Sequence, residues 1–191
     1  MKKIANNLTN YLIEKQYVRP RRREWCIYFI QKKILNIISF IIFGIIAIYN
    51  QLFTESLIFI IAFLSLRKRT GGLHMSSPYM CILFSSILLY YIPYGVQILI
   101  QLKLIIPIIL IFSFYIIQKL APLNHPDMHM TEKECVANNR AAIKCFFILL
   151  AIFILLLVTK NKIWAYYVAL GIICDVIFMI LGKIFKQEVK I

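Results

Sequence analysis

Six stretches of the chain are apolar at almost every position: 34–49, 52–66, 80–100, 104–117, 143–158 and 164–184. Runs of this kind offer water no polar face, so they read as membrane-spanning helices rather than as surface helices or half-buried strands. Several fall short of the ~20 residues that a perpendicular helix needs, and interfacial Tyr, Trp and Lys at their ends extend them. The third and fourth are broken. Pro93 and Gly95 interrupt one, Pro107 sits early in the other, and only Gln101-Leu102-Lys103 separates them, which predicts a kinked, tight helical hairpin. Ahead of the spans, residues 4–18 place Ile4, Leu8, Tyr11, Leu12 and Val18 near one side of a helix, with Asn7, Asn10, Glu14 and Lys15 elsewhere. With the cluster Arg19-Pro20-Arg21-Arg22-Arg23 and the interfacial aromatics Trp25 and Tyr28, this segment is expected to lie on the membrane surface. The expected fold is all-α: a polytopic integral membrane protein with six transmembrane helices after an amphipathic interfacial helix. Residues 1–33 form the basic N-terminal segment and 34–191 the membrane domain.

Composition strengthens this picture. Of 191 residues, 61% are hydrophobic and 16% charged, whereas soluble domains run at roughly 45–50% apolar and about 25% charged, so the surplus apolar surface needs lipid. The net charge of +14 lies between and beside hydrophobic spans, which excludes a nucleic-acid partner and points to the loop bias of membrane proteins. Nineteen Lys and Arg fall in the termini and the 67–79 and 118–142 loops with their margins, against Lys103, Lys160 and Lys162 on the other side. The positive-inside rule then makes both termini and both longer loops cytoplasmic. Met1-Lys2-Lys3 leads into Asn, Thr, Tyr and Glu, so no removable signal peptide is expected. Cys26, Cys81, Cys135, Cys145 and Cys174 are odd in number and irregularly spaced, and in a reducing compartment they are expected to be free thiols.

The loop between the second and third spans holds the densest chemistry: Arg67-Lys68-Arg69-Thr70-Gly71-Gly72-Leu73-His74-Met75-Ser76-Ser77-Pro78-Tyr79-Met80-Cys81. Ser77-Pro78 reads as an N-cap and first helical residue, which puts Cys81 in the first turn of a helix. The positive dipole end there favours thiolate, the nucleophilic form of cysteine. On one continuous helix His74 and Cys81 would stand ~10 Å apart. The pair therefore works only if the chain folds back, as Gly71, Gly72 and Pro78 permit. The alternative is a bystander thiol and an interfacial histidine.

The pattern Arg67-x4-Gly72-x-His74-x6-Cys81, between the second and third spans of a basic six-span chain, resembles the accessory gene regulator B family of quorum-sensing membrane peptidases. The likeness covers length, N-terminal segment and span layout, and includes Ala121-Pro122-Leu123-Asn124-His125-Pro126 after the fourth span. It implies a cysteine endopeptidase of the bacterial cell membrane that acts on an AgrD-like precursor peptide, with Cys81 as nucleophile, His74 as base, and Arg67 and Gly72 supporting the site. It further implies thioester formation, cyclisation to a thiolactone or lactone, a catalytic loop on the cytoplasmic side and a homodimer. No cofactor is called for. Arg67, Lys68 and Arg69 also suit an acidic precursor tail, although positive-inside topology alone explains Lys68 and Arg69.

Other polar groups offer competing readings. Asp175, beside Cys174 in the sixth span, is either a functional intramembrane acid or a neutral, helix-pairing one, and no basic partner for it stands in a span. His125, Asp127 and His129 form a weak metal-ligand pattern without His-Glu-x-x-His spacing, so no metal site is assigned. Cys135, preceded by His129, is the strongest rival nucleophile. The alternative function is a small transporter or accessory membrane subunit that uses Asp175 and the Pro-broken spans as a pathway.

Overall fold

The computed structural model describes residues 2–73, 78–123 and 130–185. Among these residues the chain forms seven α-helices: α1 (Lys2–Glu14), α2 (Arg23–Tyr49), α3 (Phe53–Thr70), α4 (Pro78–Gln101), α5 (Ile106–Leu120), α6 (Glu132–Val158) and α7 (Lys162–Ile184). A short 3-10 turn, Pro20–Arg22, precedes α2. The chain divides into two compact units, residues 1–49 and 50–191.

In the first unit α1 packs on α2. Ala5 joins Cys26, Ile27 and Ile30 in a buried cluster, with Leu12, Val18 and Ile34 against it. The packed face of α1 is thus the small-residue side, whereas Ile4, Leu8 and Tyr11 remain exposed, spaced as one apolar stripe. Helix α2 runs unbroken for 27 residues, starting well before the apolar run at 34. Its rise of ~1.5 Å per residue makes it long enough to cross ~30 Å of hydrocarbon.

In the second unit α7 is the central helix, touching each of α3, α4, α5 and α6. The polar and aromatic contacts fix the directions. Near the helix starts Trp164 Nε1 donates to Glu55 Oε1 at 3.4 Å, and near the helix ends Thr70 meets Asp175, so α3 and α7 run parallel. The backbone N–H of Leu123, just past α5, donates to Thr70 O at 2.8 Å, which aligns α5 with α3. Helix α4 opposes α7, with Phe84 against Phe178 and Gly95 facing Leu170. Phe114 of α5 packs on Phe146 and Phe147 of α6, and Asn139 of α6 donates to the Ala121 carbonyl at the end of α5, so these two are antiparallel. Within this unit the end of α3, the starts of α4 and α6 and the ends of α5 and α7 consequently lie together.

Among the described residues four helices are long and apolar enough to cross a membrane: the one spanning Pro20–Tyr49, and α4, α6 and α7. By length and composition these account for four of the six expected spans. Helix α3 has only 18 residues and ends on Arg67-Lys68-Arg69, and α5 has 15. Pro93 lies inside α4 without ending it. The expected hairpin also differs. Residues 102–105 do join α4 to α5, but both helices pack chiefly on α7 rather than on each other. Helix α6 starts at a capping box: Glu134 N donates to Thr131 Oγ1 at 3.4 Å while Thr131 N donates to Glu134 Oε2 at 2.8 Å.

Candidate active site

Where α3 ends, its last turn carries three basic residues of unequal fate. Lys68 and Arg69 are exposed, but Arg67 is half-buried and turns back along the chain. Its guanidinium donates through Nη1 to the carbonyl of Gly71 and through Nη2 to that of Leu73. One planar fork therefore holds both sides of the turn that follows the helix, which a single-point ammonium cannot do. The guanidinium carbon lies 5.2 Å from the centre of the Phe178 ring of α7, within cation–π range. Phe178 also meets Phe63 and Phe84 edge-on, at 5.5 and 5.6 Å between ring centres. Phe84 stands one helical turn beyond Cys81, so this aromatic cluster anchors the start of α4 to the Arg67 turn.

Backbone bonds complete the turn. Leu73 N donates to Phe178 O at 3.0 Å, and Gly71 forms an isolated parallel bridge with Leu123. Gly72 has φ +117°, and a Cβ there would run into the Arg67 guanidinium and stand 3.1 Å from Phe178 O. The spacing Arg67-x4-Gly72 thus has a steric reason: only glycine leaves room for the side chain that staples the turn. Gly182 of α7 serves the same turn from the other side, because a Cβ there would lie 2.8 Å from Leu73 N and 2.9 Å from Gly72 C. Beneath the turn Thr70 and Asp175 are both wholly buried, and Thr70 Oγ1 stands 3.0 Å from each carboxylate oxygen. Arg67 interacts electrostatically with both Asp175 and Cys81. Arg67, at the end of α3, acts on Asp175 through charge at a distance rather than as an ion pair, and the direct partner of the carboxylate is Thr70.

Cys81 lies in the first turn of α4 and is the one exposed cysteine of five. Cys26 and Cys174 are buried, and Cys135 and Cys145 are partly so. His74 lies outside the described residues, as do His125, Asp127 and His129 of the weak metal pattern and Asn124 and Pro126 of the proline-rich stretch. Arg67, Gly72 and the start of α4 come together around Phe178. Thr70, Phe178, Leu123 and Gly182 complete the assembly, and sequence reasoning did not find them. Their signal is weak, because a Phe, a Leu and a Gly in or beside apolar helices look like any lipid-facing or packing residue.

One groove of the second unit offers no chemistry. About 450 Å³ between α5 and α6, it is lined only by apolar residues, from Pro107 to Leu157, and includes none of Arg67, Cys81 and Asp175.

A chain that is all-helical among its described residues, with four membrane-long apolar helices there, is an integral membrane protein, and its buried polar cluster and exposed thiol lie toward the same end of the second unit. The family description Accessory gene regulator B matches residues 2–180. The chain belongs to the Accessory gene regulator B family, which places it in the processing of quorum-sensing peptides as a protease-like membrane protein. That family is associated with the AgrD precursor peptide. Neither curated proteins nor solved structures give a significant match.

Proposed function

We propose that the protein is a cysteine endopeptidase that removes the C-terminal tail of an AgrD-like precursor and cyclises the remainder. The observation that carries this reading is Cys81: the only exposed thiol, in the first turn of α4, within the electrostatic reach of Arg67 and beside the braced turn that leads into His74. In this reading His74 takes the Cys81 proton, and the thiolate attacks the precursor carbonyl at the end of the signal sequence. First-turn N–H groups of α4, which have no intrahelical acceptor, face the developing oxyanion. Collapse expels the tail as a free amine that receives the proton, leaving an acyl-enzyme thioester on Cys81. An internal Cys or Ser of the precursor then takes the acyl group, closing a thiolactone or lactone ring and restoring the Cys81 thiol. Cyclisation outruns hydrolysis because the internal nucleophile is held beside the thioester at high effective concentration.

The reading extends to topology. The turn after α3, the α5–α6 connection and the end of α7 share one end of the second unit, and these carry Arg67, Lys68, Arg69, Lys119, Lys133, Arg140 and Lys183. The other end has Lys103, Lys160 and Lys162. Parallel α3, α5 and α7 with antiparallel α4 and α6 are what five successive crossings produce, so α3 and α5 complete a six-span chain with termini and site on the cytoplasmic side. Residues 1–33 serve as the basic interfacial segment, and the enzyme acts as a homodimer in the bacterial cell membrane. The transporter alternative needs Asp175 open to a pathway, yet that side chain is 0% exposed and hydrogen-bonded.

Membranes carrying the protein and a candidate precursor test the reading by release of the tail. Cys81→Ala and His74→Ala are each expected to abolish it while the proteins accumulate normally. Undiminished release in both variants would sink the peptidase reading.

A further inference from the structure

Among the described residues Asp175 is the one charged side chain that is buried, and it lies within the apolar run of α7. A carboxylate in such a place is retained only where partners compensate its desolvation. The direct partner here is Thr70, whose hydroxyl lies 3.0 Å from each carboxylate oxygen across 105 residues of chain, while the Arg67 charge acts on the carboxylate from a distance. Both belong to the last turn of α3. Arg67 in turn holds the carbonyls of Gly71 and Leu73, and Leu73 N is bonded to Phe178 O, one helical turn along α7 from Asp175. Without that negative charge, the Arg67 cation would lose one of the opposing charges acting on it beside an apolar helix. It would then favour swinging toward water or headgroups and dropping both carbonyls.

We infer that Asp175 is a positioning residue for peptide processing: through its bond with Thr70 and its charge on Arg67 it fixes the Gly71–Leu73 turn against α7, beside the start of α4. This rests on the peptidase reading above. Asp175 is wholly buried and acts through the turn, and an error of ~1 Å in such geometry can cost a hundredfold in rate.

The experiment uses the full chain in lipid nanodiscs and follows two readouts, precursor cleavage kinetics and hydrogen exchange of the Leu73 and Leu123 amides. Asp175→Asn keeps the shape and removes the charge, Thr70→Val removes the hydroxyl, and Asp175→Glu restores the carboxylate. The neutral variants are expected to exchange these amides faster and to lose roughly tenfold to a hundredfold in kcat, with KM changed less than about threefold. Asp175→Glu is expected to recover most of the rate. Unchanged exchange in Asp175→Asn overturns the inference whatever happens to cleavage, and so does faster exchange with an unchanged kcat. Should Asp175→Asn fail to accumulate, Thr70→Val decides by the same criteria. Cys81→Ala is run alongside: retained cleavage there overturns the peptidase reading through a variant that leaves the Asp175 cluster intact.

Discussion

Arg67 braces the turn that follows α3. Its two terminal nitrogens are occupied by Gly71 O and Leu73 O, and its face is stacked on Phe178. Lysine keeps the charge but offers one nitrogen where Arg67 places two, so Arg67→Lys is expected to forfeit one charge-assisted hydrogen bond, worth about 1.5–3 kcal/mol, or roughly tenfold to a hundredfold. Precursor cleavage by membranes with matched protein levels measures it. Gly72→Ala is expected to be at least as damaging, because the new methyl group meets the same guanidinium at a φ of +117°, with strain of about 1–3 kcal/mol. A variant with normal cleavage would contradict the geometry of the turn. Thiol chemistry supplies an independent check: a maleimide is expected to label Cys81 ahead of the buried Cys26 and Cys174, as peptide mapping would show. The sequence pattern exposed Arg67, Gly72 and Cys81 as a group but hid why the spacing matters, since the Arg67 guanidinium fills the space of a Gly72 Cβ only once the turn has folded back against Phe178 of α7. Asp175 was visible as an anomaly, whereas its partner Thr70 was one hydroxyl residue among many.

Helix starts and ends decide which parts of the chain meet. The apolar run from 143 marks where α6 enters lipid, but the helix begins earlier, at the Thr131-x-x-Glu134 capping box. Thr131→Ala is expected to cost about 1 kcal/mol of stability, seen as a lower midpoint of thermal unfolding in detergent, with little effect on cleavage. That signature is local and readable from sequence. The partners of α4 and α5 are not: the short connection between them implies adjacency, yet α7 takes the main contacts of both. Hydrophobicity records only that a helix avoids water, and in lipid small-residue fit selects the neighbour instead. Gly182 shows this on α7, where it admits the backbone of Gly72 and Leu73.

For the whole molecule, the layout of the second unit gathers the polar chemistry at one end of an otherwise apolar bundle. Periodicity and composition made the all-helical membrane class legible. Span number was less so, because α3 ends in three charges and α5 has only 15 residues, leaving both short of an unaided crossing. The gathering of the Arg67 turn, Leu123 and the start of α4 around α7 gives the exposed thiol of Cys81 its setting, and the central claim is that this thiol carries the acyl group. The most direct measurement is mass spectrometry of the protein after brief exposure to precursor in membranes. A mass adduct equal to the precursor without its tail, mapped to Cys81, labile to hydroxylamine and lost together with tail release in Cys81→Ala, is the predicted result. Tail release that persists in Cys81→Ala, or an adduct mapped to Cys135, would contradict it.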